Sequence, residues 1–237
     1  LIGSVNLINL AILHRVKRFV FTSSIAVYGR NQLPMTEEME PRPEDPYGIS
    51  KYAVELDLRA AHDMFGLDFL VFRPHNVYGE RQNLGDRYRN VIGIFLNQLM
   101  QGEPLTVFGD GTQTRAFSHI ADVAPLIARS IEIEEARNQV FNVGADRPYS
   151  ILELVDVIGR VLDVEPRIGH QPARNEVQHA WAAHDKARRI LGEGPGIDLE
   201  EGVRRMAEWA KRAGVRKTPK LAHIEIEKGL PPIWTRD

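Results

Sequence analysis

Apolar residues recur at helical spacing from the start of the chain: Leu7, Leu10, Ala11 and the Leu13/His14 position of "LIGSVNLINLAILHRVKRF" share one face. Arg15, Lys17 and Arg18 follow, where cations suit a helix C-terminus. The period then changes. Arg18 to Thr22 reads as a strand, and the loop "NQLPMTEEMEPRPEDPYG", with four prolines and five acids, is too proline-rich for regular structure. Pro46 suits the first turn of a helix predicted to reach about Phe65, with Gly66 at its C-cap. "LDFLVFRP" is a second buried strand, and the order helix, strand, helix, strand predicts right-handed crossovers and a parallel sheet with helices on its faces.

From about Glu80 the pattern loosens. A helix is predicted from about Asn90 to Gln101, stopped by Gly102. "LTVFG" is a short strand before the turn "GDGTQ", and Arg115 to His119 is extended. A helix over Ala121 to Glu132, the strand "QVFNVG", and a helix "ILELVDVIGRVL" opened by a Ser150/Glu153 capping box come next. Two further helices, about His184 to Leu191 and Leu199 to Arg212, complete a smaller mixed α/β part.

With 237 residues, 43% of them hydrophobic, the chain can bury a large core as one large domain or two small ones. A net charge of −2 favours neither nucleic acid nor an anionic membrane as partner. The absence of cysteine excludes disulfides, thiolate zinc sites and cysteine nucleophiles. The eight histidines show no metal-ligand spacing, so no metal is expected, and His75 and His119 read as structural. No apolar run is long enough to span a bilayer and no signal peptide is visible, so a cytoplasmic location is the default expectation. The chain starts without Met and inside a helical repeat, which suggests an N-terminally incomplete protein.

In α/β sheets ligands sit beyond the carboxyl ends of strands. "FVFTSS" ends in the hydroxyls of Thr22, Ser23 and Ser24, and "RPHNVYG" follows the second strand. Tyr47 and Lys51 lie four apart on the next helix and project from one face. A phenol titrates near 10, and lowering that by about 3 units needs roughly 4 kcal/mol, which an ammonium and a cationic cofactor ring can supply. Ser24, Tyr47 and Lys51 therefore form a candidate proton-transfer triad, although Tyr-x-x-x-Lys alone also fits a plain surface helix.

The segments "FVFTSSIAVYG", "PYGISK", "RPHNVYGERQN", "VFGDGTQTRAFSHIADVA" and "FNVGADRPYSILELV" together resemble the extended short-chain dehydrogenase/reductase family, in particular its NAD-dependent nucleotide-sugar epimerases and dehydratases. The resemblance implies a Rossmann-like doubly wound parallel sheet whose first strands are missing from this chain, with a smaller mixed α/β substrate domain. Residues 1–78 would be the C-terminal part of the NAD-binding domain, and 79–237 mainly the substrate domain, with about 115–140 returning to the first. It implies Tyr47 as base, Lys51 as the residue that lowers its pKa and holds the nicotinamide ribose, and Ser24 as the group orienting the sugar hydroxyl. Ser23 and Pro74 join Tyr47 and Lys51 as NAD contacts. Asn76 and Arg115 would hold the diphosphate, and Asn90, Phe108, Arg174 and Glu176 the nucleotide. Ala180 would stand beside the sugar's 2-substituent, where a small side chain admits an acetamido group. Each has a plainer reading: Asn76 as a turn residue, Asn90 as a helix cap, Phe108 as core, Arg115 as surface, Ala180 as filler.

The family's glycine-rich phosphate turn is absent. "GEGPG" at 192–196 follows a helix instead of a strand, so it is a cap and loop and not a phosphate cradle, and this stretch alone is expected to be inactive. Related dehydratases carry an Asp-Glu pair where this chain has Ile25 and Ala26, so a carboxylate-assisted elimination is not expected. The implied reaction is 4-epimerisation of a UDP-sugar, either the glucose/galactose or the N-acetylhexosamine pair, by transient C4 oxidation with NAD. The alternatives are a 4-ketoreductase, another nucleotide-sugar epimerase, or a non-catalytic nucleotide-sugar-binding module. The family resemblance also implies a homodimer through the helices bearing "NLINLAI" and "KYAVELDLRAAH".

Overall fold

A computed structural model describes residues 1–86, 88–174, 176–216, 228, 230 and 231. Its elements run α1 (Ile2–Leu13), β1 (Arg18–Thr22), a 3-10 turn (Ile25–Tyr28), α2 (Pro46–Phe65), β2 (Asp68–Pro74), β3 (Val77–Tyr78) and α3 (Val91–Met100). They continue through β4 (Leu105–Phe108), β5 (Thr114–Ala116), β6 (Ser118–His119), α4 (Ile120–Ser130), β7 (Gln139–Val143) and β8 (Pro148–Ser150). The last are α5 (Ile151–Leu162), β9 (Ile168–Gln171), β10 (His179–Ala180), α6 (Asp185–Leu191) and α7 (Leu199–Ala213). No helix among the described residues is long and apolar enough to cross a membrane.

The first of two compact units, residues 1–77, 115–149 and 179–198, holds a Rossmann-like α/β layer. Its parallel sheet has the order β1-β2-β7, with Phe21 opposite Val71 and Phe72 opposite Phe141. Successive side chains of β2 point to opposite faces, which explains its unbroken apolar run. Phe69 and Val71 pack with Ile8, Ala11, Val54, Leu58 and Ala61 from α1 and α2. Leu70 and Phe72 pack with Val123, Leu126, Phe141, Ala187 and Leu191. The return to this unit is therefore wider than the expected 115–140, because α6 buries Ala187 and Leu191 against the same sheet. Helix α1 also stops earlier than its basic tail suggests: Leu13 is its last residue, and Arg15 adopts φ 54 beyond it.

An ion pair is buried in this layer. Arg73, next to the end of β2, donates from Nε to Glu55 Oε1 at 3.0 Å and from Nη2 to Oε2 at 2.5 Å, and both side chains are fully buried. Ser23 Oγ donates to Glu55 at 2.5 Å. Arg73 Nη1 donates to the Tyr28 hydroxyl at 2.7 Å, which donates to Asn142 Oδ1 at 2.9 Å. One satisfied network thus joins β1, the 3-10 turn, α2, β2 and β7.

The second unit comprises 78–114, 150–178 and 199–237, of which the structure describes the residues named above. The Ser150/Glu153 capping box opens α5 as expected. Helix α5 packs against α7, whose buried Val203, Met206, Ala207 and Ala210 repeat at helical spacing. Strand β4 pairs in parallel with β9.

Removing one partner of a buried ion pair strands the other charge. Glu55→Ala should lower stability by about 3–5 kcal/mol, while Glu55→Met with Arg73→Met should recover most of that loss in chemical denaturation. A double variant as unstable as the single one would show that the network is not held by its charge balance.

Candidate active site

Helix α2 starts where its sequence predicts, with Asp45 accepting from Gly48 N at 2.8 Å and Pro46 in the first turn. Gly48 has a packing reason: a Cβ there would lie 2.6 Å from the carbonyl oxygen of Ala26, so the helix start rests directly on the 3-10 turn. Tyr47, Lys51 and Glu55 follow at four-residue intervals and share one face. Glu55 is anchored in the core, and Lys51 Nζ donates to the carbonyl oxygen of Thr22, the last residue of β1, at 2.7 Å. The ammonium lies 4.9 Å from the Phe21 ring centroid and 5.7 Å from that of Tyr47. Burial holds its pKa below the ordinary lysine value. Tyr47 itself remains 55% exposed.

The three hydroxyl residues that end β1 have three different roles. Thr22 supplies the carbonyl that Lys51 grips, and Ser24, in extended backbone, caps the 3-10 turn by accepting from Ala26 N at 3.2 Å. Ser23 departs from expectation. Its side chain is buried and its hydroxyl is turned inward to Glu55, while its N–H donates to Phe72 O, so the hydroxyl does not face a crevice. The reason is the ion pair: Glu55 has lone pairs beyond those used by Arg73, and burial requires that they be satisfied.

At the end of β2, Pro74 closes the strand and Asn76 is exposed with φ 40. The Asn76 amide donates to Ala116 O at 3.1 Å, and Ser118 N donates to Asn76 O at 3.2 Å, which places Asn76 beside the segment carrying half-buried Arg115. Ala180 packs against the cluster of Ile25, Val27, Tyr28, Met35 and Ala182, next to the turn that Ser24 caps. The first unit thus holds Ser24, Tyr47, Lys51, Pro74, Asn76, Arg115 and Ala180.

The other residues belong to the second unit. Arg174 lies 4.0 Å above the Phe108 ring centroid and 3.8 Å from Glu176, so these three come together. Asn90 stands alone among them at the N-cap of α3, with φ 65 and no side-chain capping bond. The plain capping role does not describe it.

The donor set at the end of β1 fits the ribose end of a dinucleotide. The bond to Thr22 uses one of three ammonium donors of Lys51, and the other two match vicinal hydroxyls. A separate open cavity of about 450 Å³, lined by Glu37, His62, Asn138 and Lys186 among others, contains none of the candidate residues.

Sequence reasoning passed over Glu55, Arg73, Tyr28 and Asn142. Two signals were available: Glu55 continues the Tyr47/Lys51 spacing by one more turn, and an arginine inside "LDFLVFRP" requires a buried partner.

Comparison with known proteins agrees with this geometry. The model of the NAD dependent epimerase/dehydratase family matches residues 1–144. A putative UDP-glucose 4-epimerase of Methanocaldococcus jannaschii is 33% identical over 213 residues, 89% of this chain and 68% of that one. A UDP-glucose 4-epimerase structure from Thermotoga maritima, with UDP-glucose, superposes with a TM-score of 0.85 at 31% identity, covering 90% of this chain and 69% of its own. A UDP-N-acetylglucosamine 4-epimerase structure from Methanobrevibacter ruminantium, in complex with UDP-N-acetylmuramic acid, gives 0.82 at 30% identity, covering 87% and 66%. The chain spans 68%, 64% and 59% of three curated relatives it matches. With a family model matched over 144 of its 237 residues and Tyr47 and Lys51 set at the end of a parallel strand, the chain belongs to the NAD-dependent epimerase/dehydratase family.

Proposed function

We propose that the protein is a nucleotide-sugar 4-epimerase. The observation that carries this reading is the helix face of Tyr47 and Lys51, fixed to the end of β1 beside Ser24 with no carboxylate in the following turn, where Ile25 and Ala26 stand. An elimination needs a separate acid and base, and this turn supplies neither. NAD, the cofactor of the family, supplies an acceptor for a C4 hydride that is afterwards returned. Tyr47, Lys51 and Pro74 are the residues that would hold its nicotinamide end.

Tyr47 takes the proton of the C4 hydroxyl and gives it back at the end of the cycle. Lys51 favours the phenolate electrostatically, and Ser24 donates a hydrogen bond to the reacting oxygen. Inversion at C4 requires the 4-keto sugar to present its other face. The diphosphate must therefore be gripped while the sugar turns, which is the role we assign to Arg115, with its guanidinium fork, and to Asn76. In the second unit, Arg174 stacks on the Phe108 ring beside Glu176, and its planar guanidinium is a surface of the kind a nucleotide base stacks on, which supports assigning Phe108, Arg174, Glu176 and Asn90 to the nucleotide.

Two observations favour particular details. Ala180 is a small residue packed beside the turn that Ser24 caps, and a small side chain next to the sugar would leave room for a 2-acetamido substituent. Leu7 and Leu10 on α1 and Leu56 on α2 are exposed, which supports a homodimer through these helices.

In the full-length protein that carries this stretch, Tyr47→Phe should reduce turnover by at least 100-fold while UDP-sugar affinity stays near wild type in calorimetry. Retained turnover would remove Tyr47 as the base. Ala180→Tyr should weaken activity on the acetamido sugar selectively, judged by the ratio of kcat/KM values. An equal loss on UDP-glucose would show that Ala180 does not set selectivity.

A further inference from the structure

Behind Asn76 lies a polar cluster with two buried imidazoles that the proposed sugar chemistry does not use. His75 and His184 are each 3% exposed, and their Nε2 atoms are 3.0 Å apart. His75 Nδ1 is 3.0 Å from Ala116 O, and His184 Nδ1 is 2.6 Å from Asp146 Oδ1. Arg188 donates from Nη1 to Asp146 Oδ2 at 2.7 Å and from Nη2 to Oδ1 at 3.3 Å. No group of three or more His, Cys, Asp or Glu among the described residues is arranged to hold a metal ion, so these contacts are hydrogen bonds.

The partners fix how many protons the pair holds. A carbonyl oxygen only accepts, so His75 Nδ1 carries a hydrogen. Asp146 accepts from Arg188 on both oxygens and is ionised, so His184 Nδ1 carries one as well. Between the two Nε2 atoms at 3.0 Å there is room for one hydrogen, since two would collide and none would leave two lone pairs opposed. Three hydrogens on four ring nitrogens make one imidazolium and one imidazole. We infer that His75 and His184 form a singly protonated pair, balanced by Asp146, that positions the segment bearing Asn76 and Arg115.

The surroundings agree with a single charge. The groups facing the pair are Asp146 from the loop after β7, Arg188 and its partner Asp185 from α6, the Ala116 carbonyl from β5 and Ser118 Oγ from β6. Burial first, and then the charge on His184, push the His75 pKa down to about 4, so a second proton does not enter near neutral pH. Asp146 is held below the ordinary carboxylate range, mainly by its bond from His184. Gly144 gives the pair its room: with φ 152, a Cβ there would lie 2.7 Å from His75 Nε2 and would also strike Ser118 Oγ.

The link to the site is the Ala116 carbonyl, which accepts from both His75 Nδ1 and the Asn76 amide. Asn76, in left-handed backbone, is held on its other side by Ser118 N. If His75 loses its partner and turns, that doubly used acceptor loses one of its two donors. The functional meaning of this positioning rests on the assignment of Asn76 and Arg115 to the diphosphate, whereas the proton count does not.

Nitrogen NMR of the full chain with 15N-labelled histidine rings at pH 5.5 tests the pair directly. Three ring N–H protons shared by His75 and His184 are expected. Four, as for two independent histidines with ordinary pKa near 6.5, or two, as for a neutral pair, would overturn the inference. Asp146→Asn should remove the third proton and speed exchange of the Ser118 amide roughly 10-fold at the same pH; a lost proton with unchanged exchange would refute the positioning role. A chain that shows three protons yet fails to bind UDP would count against the epimerase reading alone.

The acid side has a definite sign. Between pH 6.5 and about 4 the unfolded chain protonates His75 and the folded chain does not, so this residue makes stability fall as pH is lowered through that window. The fall in Tm should be smaller in His75→Asn, and an equal fall would place the second protonation elsewhere.

Discussion

The buried pair of Glu55 and Arg73 is the constraint around which the first unit is arranged. Two opposite charges in a hydrophobic layer persist only when every donor and acceptor is met. The sheet meets that demand by turning Ser23, Tyr28 and Asn142 toward the pair. The strand, whose stretch Phe69 to Phe72 is apolar, is thereby locked to one helix in one register, since sliding α2 by a single residue would carry Glu55 away from the guanidinium.

The same helix face carries the candidate chemistry. Tyr47, Lys51 and Glu55 are successive turns of α2, so the anchoring of Glu55 also sets the azimuth of the other two. Lys51 adds a second fixed point through the Thr22 carbonyl, and Gly48 lets the first turn touch the Ala26 backbone. A proton-transfer group is most effective when its neighbours are already in place before the substrate arrives. Here the interior supplies that rigidity, while Tyr47 stays exposed.

Much of this was legible from residue order. The α2 boundaries, Pro46 to Phe65 with Gly66 left-handed at φ 71, follow from proline and glycine chemistry that acts locally. The strand "LDFLVFRP" was visible because burial on both faces erases polar alternation. The inward turn of Ser23 was not legible, because the partner that draws it in lies 32 residues away. Nor was the pairing of His75 with His184, separated by 109 residues, or the recruitment of α6 to the first unit, which depends on where its short apolar face lands. Local signals decide elements, and long-range polar pairing decides which side chains remain free to act.

Epimerisation at C4 requires that the hydride removed from the sugar go back to the same carbon. Proton NMR of the full-length protein that carries this stretch, incubated with UDP-glucose and separately with UDP-N-acetylglucosamine without added reductant, examines this most directly. The expected result is approach from either side to an equilibrium between C4 epimers with no net change in cofactor oxidation state. A product that forms only when a reduced nicotinamide is supplied and consumed stoichiometrically, or one lacking its C6 hydroxyl, would contradict it.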